Sequence, residues 1–204
     1  MIVETILIFI LCCGILFILG LVGYLIYLYN SLASYKVRVE ETLKQIDVRL
    51  QNRYDLLPDL INAVEKATST DENIQTKIAE LRSGLSQLKS VKLTPENANA
   101  VSQMESKLLS NLGAINVAVE AYPEIQSQVA IQNFMQQNQQ IEEMIAAARQ
   151  IYNATVRDYN EKIVTFPSNI IANMFGFKKA EFFESTAEAK KDIMPDWGGN
   201  VVVR

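Results

Sequence analysis

The chain has 204 residues, 23 acidic against 19 basic side chains, a net charge of −4, two cysteines and no histidine. That length suits one ordinary domain plus an anchor. The missing histidine removes Ser–His–Asp and Cys–His catalysis, imidazole acid–base chemistry and His-ligated metal sites. The acidic balance argues against nucleic acid as a partner.

Hydrophobic residues make up 49 % of the chain, and many fall in the first thirty positions. Ile6 to Tyr29 carries no charge. Twenty-four residues rising about 1.5 Å each reach roughly 36 Å, enough for a hydrocarbon core of about 30 Å. A secretory signal wants a basic start, a shorter run and a small-residue cleavage site. Met-Ile-Val-Glu at the start, and the residues after the run, do not fit that form. Residues 1–29 are therefore expected to remain as a transmembrane anchor. Tyr24, Tyr27 and Tyr29 gather at its C-terminal end, where aromatic rings favour the membrane interface. Glu4 precedes the run, whereas Lys36, Arg38, Lys44, Arg49 and Arg53 follow it. The positive-inside rule then puts the N-terminus outside and the rest of the chain in the cytoplasm. Cys12 and Cys13 both lie within the run, so they read as small apolar filler rather than as a staple. The residues before them lack the small residue of a lipoprotein signal.

Past the anchor the apolar spacing is helical. Leu32, Tyr35, Val39, Leu43, Ile46, Leu50, Tyr54, Leu57, Ile61 and Val64 recur every 3.56 residues or about that, between the coiled-coil and straight-helix periods. Neither Gly nor Pro interrupts Tyr24 to Leu57, so the anchor is expected to run straight into the first helix. Pro58 lacks a donor and its ring presses on the Tyr54 carbonyl. Leu57, Ile61 and Val64 nevertheless keep the phase, which predicts a kink rather than an end.

Ser69 to Glu72 has capping-box spacing and predicts the start of a second helix with the stripe Ile74, Ile78, Leu81, Leu85, Leu88. Thr94-Pro95-Glu96 reads as an N-cap, a first-turn proline and an early acid. The third helix carries Val101, Met104, Leu108, Leu112, Ile115, Val119 and Tyr122. Pro123 marks a bend or break. A fourth run reaches about Thr165, with the stripe Phe134, Asn138, Ile141, Ile145, Ala148, Tyr152, Thr155, Tyr159, Ile163, Phe166, and Pro167 stops it. Sustained period-two alternation is missing throughout. The expected fold is all-α: an N-terminal transmembrane helix continuing into an elongated antiparallel helical bundle of about four long helices. The bundle covers 30–167, and 168–204 forms an aromatic hook segment and a C-terminal tail.

The polar residues with the most to say are Arg53, Tyr54, Asp55 and Pro58, answered later by Tyr152, Asn153, Arg157, Tyr159 and Asn160 ahead of Pro167. The two Tyr-Asn pairs are seven apart and share one helix face. They read either as a polar recognition face or as buried tyrosines satisfied by neighbouring Asn, Asp and Arg, which would fix register. The second reading is preferred, because Tyr54, Tyr152 and Tyr159 lie on apolar stripes. It makes the Arg53 region an anchor that pins the first helix to the last. Asn138, on a stripe, reads as a register device.

Glu40-Glu41 and Glu142-Glu143 lack the His partners of a di-metal carboxylate site. A carboxylate-only enzyme would need Asp47, Asp55, Asp158 and Glu161 to converge. Asn153-Ala154-Thr155 is a chance glycosylation match on a cytoplasmic helix, and the Phe-Gly-Phe-Lys-Lys stretch lacks the glycine spacing of a phosphate loop. Phe175, Phe177, Phe182 and Phe183, interleaved with Lys178 and Lys179, form either a hook capping the bundle or a patch on lipid. The hook is preferred, since Lys and Phe are not separated by face.

"YNSL" at Tyr29, "VEETLKQIDVRLQNRYDLLPDLINAV" at Val39, "AYPEI" at Ala121, "AAARQIYNATVRDYN" at Ala146 and "FPSNIIANMFGFKKAEFFE" at Phe166 together resemble the LemA family, in family order, from about Tyr29 to Glu184. The resemblance implies a single-span protein of the bacterial inner membrane with an antiparallel helical domain and no established catalytic activity. It also implies company with membrane stress proteases and membrane-remodelling systems, a magnetosome protein among them. "AVEKATSTDEN" at Ala63 departs from the Gly-Tyr and His-Glu pairs of many relatives, so no partner contact is carried over to that corner. The expected function is a non-enzymatic scaffold or adaptor, with no catalytic residue, cofactor or metal. Its expected partners are membrane lipids through the span, unidentified membrane or cytoplasmic proteins, and a second copy of itself. A lipid-binding or membrane-shaping role is the alternative, ahead of a carboxylate enzyme.

Overall fold

A computed structural model describes residues 2–68, 71–121 and 129–183. Among the described residues the secondary structure is all helical: α1 Ile2–Ala67, α2 Glu72–Ser90, α3 Ala98–Ala121, α4 Val129–Val164 and α5 Ser168–Phe175.

α1 is one helix of 66 residues that passes through Pro58, as the unbroken phase of its stripe required. Its N-terminal part is long and apolar enough to cross a membrane. The side chains described there stay exposed until Leu28. From Leu32 to Val64 the expected stripe is buried throughout, apart from Tyr35, which is half-buried.

α2 starts at Glu72, and its cap is Asp71 rather than Ser69, which lies outside the described residues. The Asp71 carboxylate accepts from the Asn73 and Ile74 amides at 3.0 and 3.3 Å, satisfying two donors that the first turn leaves open. All five stripe residues of α2 are buried.

α3 begins at Ala98, later than Thr94-Pro95-Glu96 suggested. Asn97 is the cause. Its Oδ1 accepts from the Thr94 amide at 2.8 Å, its Nδ2 donates to the Lys92 carbonyl at 2.9 Å, and its own carbonyl accepts from the Val101 amide at 3.0 Å. This side-chain turn competes with helix over 94–97 and wins. Val101, Leu108, Leu112 and Ile115 are buried and Met104 is half-buried. Val119, Tyr122 and Pro123 fall among the side chains and residues not described.

Along α4, Phe134, Ile141, Ile145, Ala148, Tyr152, Val156, Tyr159 and Ile163 are buried. Phe166, expected as the last stripe residue, lies beyond the helix and is 75 % exposed. The Phe166–Pro167 peptide is cis, and Pro167 leads into α5. Gly176 closes α5 with φ 71 and ψ 27, a left-handed conformation that glycine adopts without strain. The Phe177 amide then reaches back to the Ala172 carbonyl at 2.9 Å, as helix ends of this type require.

By internal contacts the chain groups into two units. One holds Met1–Glu41 with Ala154–Ala180; the other holds Thr42–Asn153 with the residues from Glu181 on. α1 and α4 contribute to both, and residues 29 and 30 lie inside α1 without a break. In the second unit α1 and α2 run antiparallel. Asp55 meets Lys89 at 2.9 Å and Glu65 meets Arg82 at 2.7 Å, so numbers rise along one helix as they fall along the other.

Candidate functional site

The second unit holds a buried polar cluster. Arg53, Tyr54 and Glu105 are 1, 2 and 0 % exposed. Arg53 Nη1 donates to Glu105 Oε1 at 2.7 Å, and the Tyr54 hydroxyl donates to Glu105 Oε2 at 2.6 Å. Two adjacent residues of α1 thus hold both oxygens of one carboxylate on α3. Both bonds are charge-assisted and short, which offsets the cost of taking the ions out of water.

Burial, then the charge of Glu105 and its hydrogen bond, push the Tyr54 phenol well above the usual tyrosine range, with Arg53 and Arg149 opposing. Tyr54 therefore remains a proton donor at any physiological pH. Arg149 brings α4 to the cluster. Burial lowers its pKa from the usual arginine value, Glu105 raises it, and Arg53 lowers it further. Its guanidinium carbon lies 4.8 Å from the centre of the Phe183 ring, a cation–π distance. The buried Nε atoms of Arg49, Arg53 and Arg149 have no hydrogen-bond partner among the described residues. Chemically this cluster locks helices together: a slipped register would bury unpaired charge.

The partner is a correction to the sequence reading. Arg53 and Tyr54 grip α3 through Glu105, and α4 contributes Arg149, which the motifs had not marked. Arg157 is exposed on α4. Asp55 is 69 % exposed and pairs with Lys89; Pro58 is exposed. Glu105 did carry a signal. It stands four residues after Val101 and three before Leu108, a charge at core spacing on an apolar face.

Asn153, Asn160 and Tyr152 reach the segment after α5. They hold residues 180–183, which run non-helically beyond α5. In the first unit, Asn160 Nδ2 donates to the Ala180 carbonyl and its Oδ1 accepts from the Ala180 amide, both at 2.9 Å. In the second, Asn153 makes the same pair with Phe183, both at 2.9 Å. A carboxamide offers one donor edge and one acceptor edge, as a neighbouring strand would. The Tyr152 hydroxyl donates to the Glu181 carbonyl at 2.8 Å, and the Glu181 amide donates to the Pro95 carbonyl at 2.8 Å. Tyr152 is fully buried, and that burial raises its phenol pKa. Tyr159 is also buried.

The phenylalanines divide. Phe183 is fully buried in the second unit. Phe175 and Phe177 pack edge-on to Tyr29 in the first, with ring centres 4.8 and 5.7 Å away. Phe175 and Phe182 stay exposed. Asn138 Oδ1 is buried without a hydrogen-bond partner among the described residues. Among the described residues no three His, Cys, Asp or Glu side chains gather as a metal site. Asp158 and Glu161 are exposed, and Asp47 is half-buried. A surface cleft of ≈ 580 Å³ between α1 and α4 is lined by Leu56, Asp59, Asn62, Lys66, Asn133 and Phe134, among others, with Asp59 its one carboxylate.

Comparison with known proteins adds relatives to this geometry. The family model described as LemA family matches residues 42–195. Magnetosome protein MamQ 2 of Paramagnetospirillum magneticum is 40 % identical over 73 residues, covering 36 % of this chain and 27 % of the relative. Magnetosome protein MamQ of Magnetospirillum gryphiswaldense is 35 % identical over 72 residues, 35 % of this chain and 26 % of the relative. The chain thus spans about a quarter of the length of these magnetosome proteins. Protein LemA of Metamycoplasma hominis is 24 % identical over 183 residues, 88 % of this chain and 81 % of the relative.

Proposed function

The chain belongs to the LemA family, and from that premise we propose that it is a membrane-anchored helical scaffold or adaptor rather than a catalyst. The observation that carries this reading is α1. One uninterrupted helix holds both an exposed apolar stretch of membrane-spanning length and the buried stripe of the bundle. Whatever docks on the bundle is thereby tied to the membrane through a continuous element. The polar residues that invite a catalytic reading are engaged internally: Arg53 and Tyr54 on Glu105, Tyr152, Asn153 and Asn160 on residues 180–183.

The basic residues after the apolar stretch support a cytoplasmic bundle, an outside N-terminus and residence in the bacterial inner membrane. The partners are other membrane or cytoplasmic proteins, or further copies of the chain. A link to membrane remodelling or membrane stress is part of the proposal and rests on the family resemblance; the MamQ relatives are named as magnetosome proteins. A reporter fused after Arg204 tests the topology. Crosslinking in intact cells, followed by identification of the captured proteins, tests the adaptor role. Activity of an extracytoplasmic reporter, or recovery of the chain without bound protein, would oppose it.

A further inference from the structure

α5 is apolar on two sides. Ser168, Ile171 and Ala172 form its buried face. Opposite them, Ile170 is 55 % and Met174 65 % exposed, one turn apart; Phe166, before the helix, is 75 % exposed. Phe175, at the end of the helix, is 57 % exposed. Asn169 and Asn173 stand between the two faces, so the outer apolar row is narrow; large apolar side chains exposed together on one side of a helix mark a contact surface.

Two observations within the first unit say what covers this one. Tyr29 is the last residue of the apolar run of α1, with Asn30 and Ser31 next, and its ring meets Phe175 and Phe177. α5 therefore sits beside the point where α1 stops being apolar, which is where a bilayer interface would lie. Exposed Lys178 and Lys179 follow directly on Phe177, placing cations next to the aromatic patch as anionic head groups favour. A second copy of the chain fits less well. Eight residues make about two helical turns, too few for a pairing seam of several heptads.

We propose that the outer face of α5, with Phe166, lies in the interface of the same bilayer that α1 crosses. The chain then meets lipid at two places, a span and a flat aromatic foot. This rests on α1 being a membrane span, so the test must separate the two.

The full chain has one tryptophan. In a Trp197→Phe background, Met174→Trp, Phe17→Trp and Ser86→Trp each report from an exposed position on α5, the apolar run and α2. The proteins are reconstituted into vesicles of equal parts phosphatidylcholine and phosphatidylglycerol, with bromine placed either near the head group or at mid-chain. Phe17→Trp should be quenched by mid-chain bromine. Met174→Trp should be quenched at least half as strongly, and more by bromine near the head group. Ser86→Trp should be unaffected. Quenching at Phe17→Trp without quenching at Met174→Trp overturns the foot and leaves the span standing. A blue-shifted Met174→Trp emission indifferent to bromine overturns it in favour of a protein cover such as a second copy. An unquenched Phe17→Trp overturns the span, and the foot with it.

Discussion

The Tyr54 hydroxyl donates to Glu105 Oε2 at 2.6 Å, joining α1 to α3 across fifty-one positions of sequence. With Arg53 on the other oxygen, Glu105 is the counter-charge for the guanidinium groups around it. Glu105→Leu should leave Arg53 buried and unpaired, and such breaks cost about 3–5 kcal/mol. Arg53→Met and Tyr54→Phe combined with Glu105→Leu should recover part of that loss, because apolar replacement removes the buried groups that Glu105→Leu alone strands, with only Arg149 left short of a counter-charge. Denaturant titration of the full chain in detergent measures both. A single variant as stable as the parent would place Glu105 in water.

Alkaline pH should probe the same cluster. Tyr54 and Tyr152 are both pushed above the ordinary tyrosine value of about 10, chiefly by burial. The folded state then holds their protons more tightly than the unfolded chain does. Their contribution is full below a pH of about 10 and is lost as pH climbs from there toward the raised folded values. Stability should fall over that window, less steeply in Tyr54→Phe. Phenolate absorbance at these two residues should appear only with unfolding; ionisation in the folded chain would contradict the burial.

The side-chain clamps make a local prediction. Each asparagine gives two hydrogen bonds to the segment after α5, and at about 0.5–1.5 kcal/mol net per bond one clamp contributes about 1–3 kcal/mol. Asn153→Ala should speed amide exchange at Phe183, and Asn160→Ala at Ala180. Exchange in α2 should not change. Equal acceleration everywhere would mean that the clamps hold the whole fold rather than one segment.

Pro58 is exposed inside an unbroken α1, near its C-terminal end. Pro58→Ala restores a donor and raises local helix propensity by about 3 kcal/mol. A changed path for α1 would draw Ile61 and Val64 from their packing, at a comparable cost. Stability should therefore change little, while assembly size and crosslinked partners in cells should change. Wild-type partners and assembly size in Pro58→Ala would reduce the proline to a tolerated bend.

The helical stripes were legible because burial repeats with the helix: the five α2 positions and nearly all of the α1 positions are the buried ones. Met104, next to Glu105, also fits the apolar spacing, yet Glu105 is the fully buried one. Asn97 moved the start of α3 through a side-chain turn that a proline-based N-cap reading does not weigh. Residues 180–183 were least legible. A segment without helical or strand period takes its conformation from partners twenty to thirty residues away, so nothing local announces it. Asn153 and Asn160 share a helix face, as their spacing indicates, but what each holds is the backbone amide and carbonyl of one residue after α5.

As proposed above, the bundle presents a surface for other proteins at the membrane. Site-specific photocrosslinking of the full chain in its own cells tests it most directly, from exposed Ser86 on α2, Gln103 on α3, and Glu143 and Gln150 on α4. Discrete protein adducts should form that differ from one position to the next and vanish when Ile6 to Tyr29 is deleted. Adducts at none of the four positions, or the same adducts at all four with and without the apolar run, would contradict it.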